Sequence, residues 1–345
     1  MTPPRDLAAL DPGGMLGHVR ASADLWRTGI ELGRAAPTPA IATRGVVVAG
    51  MGGSGIAADV AVVAGATMGR APVVAVKSYD LPAFVGAGTL VVLVSQSGDT
   101  EETLAVADAT LASPASAFVV ASGGRLAAVA AEHGLPMARV PGDRMPRASL
   151  PLLVAPVLVA LERAEALAGV DAMLDGVPDV VEADLAAAEV RAAELADAVG
   201  DRIPVFVGAR GWSGLVAARA MTQVHENAER VAFAAELPEL DHNAIVGLAA
   251  AHGTPLAIVF IGDPGDHPRI RTRIDLTAEV IARAGLPVHT ITLTGPSPLA
   301  RAAAGIQAVD LLSVELAFRG GVDPTPIAVL EELKQRLRSA ARTSP

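Results

Sequence analysis

Short apolar runs alternate along the chain with longer stretches in which small and polar residues recur at helical spacing. The first run, residues 46–49, leads through a glycine-rich turn into a helix that we expect to reach about Ala66. A continuous apolar run of this kind is typical of a strand buried on both faces of a parallel sheet. Further strands are predicted at 73–76, 90–95 and 117–121, with helices at 100–111 and 125–133. This order predicts a doubly wound parallel sheet flanked by helices.

The same opening occurs again about 155 residues later, which indicates an internal duplication. A helical connection over about 149–199, broken near Gly176 and Pro178, separates the two copies. An apolar strand at 203–207 then leads through the turn 208–214 into a helix to about Glu229. The remaining predicted elements are strands at 231–235, 256–261 and 288–293 and helices at 269–284, 299–319 and 325–341.

With 345 residues the chain is long enough for two domains that each bury a core. The α/β class therefore takes the form of two tandem domains. The predicted divisions are an N-terminal helical extension at 1–40, a first α/β domain at 41–150, a helical connection at 151–200, a second α/β domain at 201–320 and a C-terminal helix at 321–345.

Composition narrows the possible functions. The chain has no cysteine, which excludes disulfides, thiolate nucleophiles and cysteine zinc sites, and its net charge of −10 argues against a nucleic-acid partner. The longest apolar stretch, 150–161, is shorter than the roughly 20 residues of a membrane span, and no signal peptide is indicated. The histidines show no H-x-H or H-E-x-x-H spacing, so we expect no metal and no cofactor. We expect a cytoplasmic protein without a membrane partner.

The first glycine-rich turn, residues 50–55, lets backbone N–H groups approach an anion at a helix N-terminus. It also fits the G-x-G-x-x-G dinucleotide pattern. That pattern needs an acidic residue about 20 positions later, and the second strand ends in Lys77 instead. A turn that serves only helix–strand packing is the remaining alternative.

A second polar element, residues 94–103, follows a buried strand and opens a helix, which is where open α/β sheets bind ligands. Its hydroxyl groups and the free N–H groups of the helix can surround a phosphate. The alternative is a capping box formed by Asp99 and Glu102. Capping does not account for the two serines on either side of Gln96, so we favour ligand binding.

The sequence GMGGSG at 50–55, followed by SQSGDTEETL at 95–104, resembles the sugar-isomerase (SIS) domain family, whose members bind phosphosugars. The rest of the chain resembles one branch, the bifunctional phosphoglucose/phosphomannose isomerases. The resemblance implies two tandem SIS domains and reversible conversion of glucose 6-phosphate and mannose 6-phosphate to fructose 6-phosphate through a cis-enediol. It also implies a homodimer whose active sites lie at the interface. The supporting segments are 146–150, 225–228, 237–243, 323–326 and Lys334.

The resemblance implies a catalytic set of four residues. Glu226 matches the base that moves a proton between C1 and C2, and Arg147 matches an arginine near the reacting carbons. His242 and Lys334 match the residues that open the sugar ring, and the family takes this histidine from the partner chain. The residues predicted to bind the substrate phosphate are Gly53, Ser54, Ser95, Gln96, Ser97 and Thr100.

Each assignment has a competing interpretation. Glu226 could be a solvated helix charge like Glu229, and His242 or Lys334 could be structural or exposed residues. Arg144 and Arg139 compete with Arg147. We interpret His225 as a packing residue or as a residue that contacts a catalytic side chain.

The chain departs from the family pattern at Gln96, where tyrosine is common, and at Asp99, where asparagine is common. Two other functions therefore stay open: a non-catalytic sugar-phosphate sensor, and an isomerase of a different sugar phosphate.

Overall fold

The computed structural model describes residues 7–37 and 43–341. Its first sheet is parallel throughout, with the strand order β2-β1-β3-β4-β5. These strands are β1 (Gly45–Ala49), β2 (Val73–Val76), β3 (Thr89–Ser95), β4 (Ser116–Ala121) and β5 (Met137–Arg139). The second sheet is also parallel and has the order β7-β6-β8-β9. Its strands are β6 (Ile203–Ala209), β7 (Phe233–Leu237), β8 (Leu256–Gly262) and β9 (Val288–Thr292).

The helices flank both sheets. Those of the N-terminal part are α1 (Leu7–Leu10), α2 (Met15–Arg20), α3 (Ser22–Ala35), α4 (Gly52–Met68), α5 (Glu101–Leu111) and α6 (Gly124–Glu132). The middle ones are α7 (Leu150–Arg163), α8 (Val170–Leu174), α9 (Val177–Val199) and α10 (Trp212–Asn227). The last are α11 (Ala244–Ala249), α12 (Pro268–Arg283), α13 (Pro298–Gly320) and α14 (Ala328–Ala341), and short 3₁₀ helices cover Pro146–Ala148 and Glu239–His242.

The predicted fold class is confirmed, and the two sheets share their first four strand positions as a duplication requires. The strand predicted at 231–235 is wrong by two residues, because pairing with β6 begins only at Phe233. The prediction also lacked β5, whose three residues at the sheet edge are too few for a periodic signal. The predicted domain limits stay predictions.

One apolar core joins the two sheets. Alternate residues of each strand point to opposite faces, so Leu90 and Val92 enter the central core while Val91 and Leu93 face the outer layer with α5 and α6. In the second sheet Phe206 belongs to the same central core, which α7, α9, α10 and α13 fill. In the part of the chain covered by residues 7–37 and 43–341, no helix is both long and apolar enough to cross a membrane.

Helices α3 and α7 pack closely because two glycines of α3 face α7. A β-carbon at Gly29 would lie 2.7 Å from the carbonyl oxygen of Pro151, and one at Gly33 would lie 2.9 Å from the α-carbon of Pro156. Backbone atoms cannot move aside as a flexible side chain can. The two glycines therefore set the distance between the helices.

We expect Gly29→Ala to lower the free energy of unfolding by about 1–3 kcal/mol, because the added methyl group forces the two helices apart. Gly17→Ala in the neighbouring helix α2 is the matched control, since a β-carbon there meets no atom within 4 Å. This control should be neutral or stabilising by about 0.5–1 kcal/mol, because alanine favours helix over glycine. Urea unfolding of both variants measures the difference. Equal stability of the two variants would contradict this account of the packing.

Candidate functional site

The glycine-rich turn (residues 50–55), the polar element at 94–103, called the serine-rich loop below, and the segment around Arg147 meet at the carboxyl ends of β1 and β3. The backbone N–H of Gln96 donates to the Ser54 hydroxyl oxygen at 3.3 Å, which joins the turn to the loop. On its other side the turn touches the 3₁₀ helix at Pro146–Ala148. A β-carbon at Gly53 would lie 2.9 Å from the Pro146 carbonyl group and 3.1 Å from the backbone nitrogen of Arg147. Glycine at 53 is what allows this approach.

The hydroxyl groups of the serine-rich loop divide into inner and outer ones. The Ser95 hydroxyl is buried, lies 2.8 Å from the Thr100 hydroxyl and accepts the Gly98 N–H at 3.0 Å. Ser97 is exposed, and its oxygen accepts the Asp99 N–H at 3.2 Å. Thr100 precedes α5 but its hydroxyl does not cap that helix. Ser95 and Thr100 therefore hold the loop from inside, while Ser97 and Glu101 are exposed.

Gln96 is held in one orientation. Its Nε2 donates to the Pro141 carbonyl at 2.8 Å, and its side chain is 4% exposed. Its Oε1 is buried and has no hydrogen-bond partner in the described part of the chain. The glutamine therefore offers a fixed hydrogen-bond acceptor at this position.

Asp99 faces away from its own helix. Its carboxylate accepts the backbone N–H of Arg125 at 3.1 Å and the Arg125 Nε at 3.2 Å. Arg125 lies in the first turn of α6, whose N-cap residue, Gly123, has no side chain to offer. The alternative that Asp99 and Glu102 form a capping box is wrong, because Asp99 caps the neighbouring helix.

Arg147 is the centre of the polar contacts. Its side chain is 2% exposed, yet three of its hydrogen bonds are to neutral acceptors. Nε donates to Asn227 Oδ1 at 2.7 Å, and one terminal nitrogen, Nη2, donates to the carbonyls of Pro324 and Thr325 at 2.9 and 2.7 Å. The other terminal nitrogen, Nη1, lies 3.7 Å from Glu226 Oε2 and makes no hydrogen bond among the described residues.

Burial lowers the pKa of the Arg147 guanidinium, and the Glu226 carboxylate opposes this shift. A buried cation that is only partly compensated attracts a further negative charge. The competing arginines lie elsewhere: Arg139 donates to the Ser122 carbonyl and Arg144 faces Asp143. The side chain at 147 is the one that pairs with Glu226 in the described structure.

A buried ion pair holds the backbone of Arg147, and the sequence analysis did not predict it. Arg219 of α10 donates to both carboxylate oxygens of Asp310 in α13, each at 2.8 Å, and its Nη2 donates to the Arg147 carbonyl at 2.6 Å. Both charges stand in helices made largely of small and apolar residues. Isolated charges on buried helix faces are rare unless paired, which is the signal that could have found them.

His242 and Lys334 are not brought to this centre within one chain. Both are exposed, and among the described residues no hydrogen bond or ion pair joins either of them to Arg147 or Glu226. His242 ends the 3₁₀ helix after β7, where Asp241 anchors the backbone by accepting from Arg273 and Thr277. A ring nitrogen of His225 lies 2.9 Å from the Ala232 carbonyl oxygen, but the residue is exposed, so it does not pack in the core.

Comparison with known proteins shows to which family this chain belongs. Residues 188–337 match the family described as the bacterial phospho-glucose isomerase C-terminal SIS domain. The bifunctional phosphoglucose/phosphomannose isomerase of Caldicellulosiruptor bescii is 31% identical over 301 residues, which cover 85% of this chain and 89% of that protein. The protein of the same name from Thermoplasma acidophilum is 33% identical over 297 residues, with 85% and 89% coverage. The chain belongs to the bifunctional phosphoglucose/phosphomannose isomerase family.

The fold agrees with solved structures of more distant proteins. The C-terminal domain of glucosamine-fructose-6-phosphate aminotransferase from Francisella tularensis superposes with a TM-score of 0.71 at 15% sequence identity, over 91% of this chain and 97% of that one. A likeness at this identity concerns the fold alone. Within residues 7–37 and 43–341, no group of three His, Asp or Glu side chains is arranged to hold a metal ion.

This member of the phosphoglucose/phosphomannose isomerase family should depend on Asp99 for the stability of α6. We expect Asp99→Ala to cost about 0.5–2 kcal/mol of unfolding free energy, because α6 loses its acceptor for the Arg125 N–H. Arg125→Ala keeps that backbone bond and removes the exposed ion pair with Asp99, worth about 0–1 kcal/mol, and a long 3.5 Å hydrogen bond to the Asp99 carbonyl. Thermal unfolding of both variants tests this order. An equal or larger loss in Arg125→Ala would show that the contacts of the Arg125 side chain, and not the cap, matter.

Proposed function

We propose that this protein interconverts glucose 6-phosphate and mannose 6-phosphate with fructose 6-phosphate. The observation that carries the proposal is the free Nη1 of the buried Arg147, which lies 3.7 Å from the Glu226 carboxylate. A base and an unpaired cation side by side suit a reaction in which a proton leaves carbon and negative charge develops on oxygen. The names of the relatives from C. bescii and T. acidophilum support the same activity.

We propose that the phosphate binds at the serine-rich loop. Ser97 is exposed just before the N-terminus of α5, which has no side-chain cap at Thr100, and a helix N-terminus with free N–H groups favours an anion. Ser54 and Gln96 hold the turn against the loop, Gly53 brings it next to Arg147, and Ser95 and Thr100 brace it from inside. Because Asp99 is engaged by Arg125, its charge is partly offset near the phosphate.

The proposed chemistry starts with ring opening and continues with proton transfer. Once the ring is open, the Glu226 carboxylate removes the C2 proton of the aldose, and the electrons form a cis-enediolate whose charge pairs with Arg147. The O2 hydroxyl proton then moves to O1, and Glu226 returns its proton to C1, so that C2 becomes the carbonyl carbon of the ketose. Glucose and mannose 6-phosphates differ only at C2 and give the same enediolate, so one site serves both. The Glu226 side chain is 27% exposed and therefore open to a ligand.

We propose a homodimer in which the partner subunit's His242 completes the site. Exposed apolar side chains lie near both residues in the sequence: Val246, four positions after His242, is 74% exposed, and Leu333, next to Lys334, is 52% exposed. Leu330 and Leu337 of helix α14 are exposed as well. Exposed apolar surface of this kind is typical of subunit contacts. We also propose a cytoplasmic location, where sugar phosphates are metabolised.

Glu226→Gln should lower kcat by about 10²–10⁴-fold with both aldose phosphates, because the amide cannot accept the proton. Glu229→Gln is the matched control, since Glu229 is an exposed carboxylate just beyond the same helix and should leave kcat within about twofold. A coupled assay of fructose 6-phosphate formation measures both. Wild-type protein without activity on either sugar, but with binding seen by thermal shift, would favour a sensor. Activity on another sugar phosphate alone would mean that the enzyme is an isomerase of that sugar phosphate.

The shared site predicts complementation between two inactive variants. Glu226→Gln and His242→Ala should each be inactive alone, and their mixture should regain about a quarter of wild-type activity after subunit exchange. Random exchange makes half of the dimers mixed, and each mixed dimer has one of its two sites intact. Sedimentation establishes the dimer, and energy transfer between differently labelled chains establishes the exchange. No recovery in exchanged dimers would mean that both residues serve the same chain's site.

A further inference from the structure

The guanidinium of Arg147 is held by three bonds that leave one nitrogen free. Its Nε and Nη2 are both used inside the protein, by Asn227 and by the two carbonyls at 324 and 325. The plane of the group is thereby fixed, because bonds at Nε and Nη2 leave it no rotation. The free nitrogen then has one direction, toward Glu226. Whatever holds Nε therefore decides where the free nitrogen points.

Asn227 is itself oriented by a directed chain of hydrogen bonds. The Ser313 hydroxyl donates to the Asp310 carbonyl at 2.6 Å, so its oxygen is left to accept. Asn227 Nδ2 donates to that oxygen at 2.9 Å, and therefore Oδ1 must face Arg147. Asn227 and Ser313 are both 0% exposed. A buried chain in which every donor has its acceptor permits one orientation of the amide.

A neutral amide has a consequence that a carboxylate would not have. A carboxylate at 227 would pair with the guanidinium and use up its charge. The amide orients Arg147 while it leaves the positive charge for another partner. Asn227 is adjacent to Glu226 in sequence, but its side chain lies in the buried layer between α10 and α13, so it cannot touch a ligand there.

We propose that Asn227 is a positioning residue for the isomerase reaction, which fixes the Arg147 guanidinium so that its free nitrogen faces the enediolate. The role rests on the proposed function and adds to it. Asn227 acts through Arg147 and does not touch the substrate. Ser313 is the second member of this positioning pair, because it fixes the orientation of the amide.

Three variants and one control test the role. Asn227→Leu keeps the volume and removes the acceptor, so we expect kcat to fall by about 10²-fold while KM changes less than about threefold. Asn227→Asp keeps an acceptor for Nε and should recover part of the lost kcat, but not all, because its charge pairs with Arg147. Ser313→Ala leaves the amide free to turn and should lower kcat less than Asn227→Leu. Val224→Ala, a buried apolar truncation in the same helix, controls for lost stability.

A purely structural role gives a different result. It predicts that kcat falls only as thermal stability falls, so that Val224→Ala and Asn227→Leu lose the same amount of kcat for the same loss of stability. That outcome would overturn the proposal, as would equal kcat values for Asn227→Leu and Asn227→Asp in folded protein.

A second measurement is independent of activity. In the wild type the Arg147 Nε–H is buried and bonded, so its NMR signal should exchange slowly with water and should exchange faster in Asn227→Leu. If the wild-type protein isomerises neither sugar but Asn227→Leu loses this protection, the proposed function is overturned and the positioning of Arg147 by Asn227 still holds. Unchanged protection in Asn227→Leu would overturn the positioning role, whatever the activity.

Discussion

The buried pair of Arg219 and Asp310 is the contact on which the rest of the polar centre depends. It crosses from α10 to α13 in the middle of the core that joins the two sheets, and it extends to the backbone of Arg147. Removal of one partner from such a pair costs about 3–5 kcal/mol, because the other charge is left buried and uncompensated. The pair therefore fixes where the 3₁₀ helix at Pro146–Ala148 can lie. The position of that helix then fixes Arg147.

The chemistry follows from unequal compensation of two neighbouring cations. Arg219 has a carboxylate on two of its nitrogens, whereas Arg147 has neutral acceptors on Nε and Nη2 and Glu226 at a longer distance. Burial raises the strength of any charge interaction that remains. An anion that forms next to Arg147 is therefore stabilised more than it would be in water. Arg219 thus has a structural role, and its neighbour Arg147 is available for the proposed reaction.

Much of the fold could be predicted from particular segments. The continuous apolar runs at β1, β3 and β6 and the glycine turns after two of them predicted parallel sheets and their duplication, because a strand buried on both faces needs such a sequence. The edge strands were harder: β5 has three residues, and β7 has an exposed phenylalanine at its start. The alternative that Asp99 caps its own helix, which the sequence analysis did not favour, was wrong, since Asp99 caps α6 instead.

The sequence by itself determined the elements, the family and the residue types available for the chemistry, because these depend on local pattern and on motifs a few residues long. Only the tertiary structure decided that Arg147, and not Arg139 or Arg144, pairs with Glu226, and that Asn227 and Ser313 orient it. It also decided that no hydrogen bond or ion pair among the described residues joins His242 or Lys334 to Arg147 or Glu226. These contacts join residues about 80 to 180 positions apart, and a hydrogen bond depends on distances and angles that no local pattern carries.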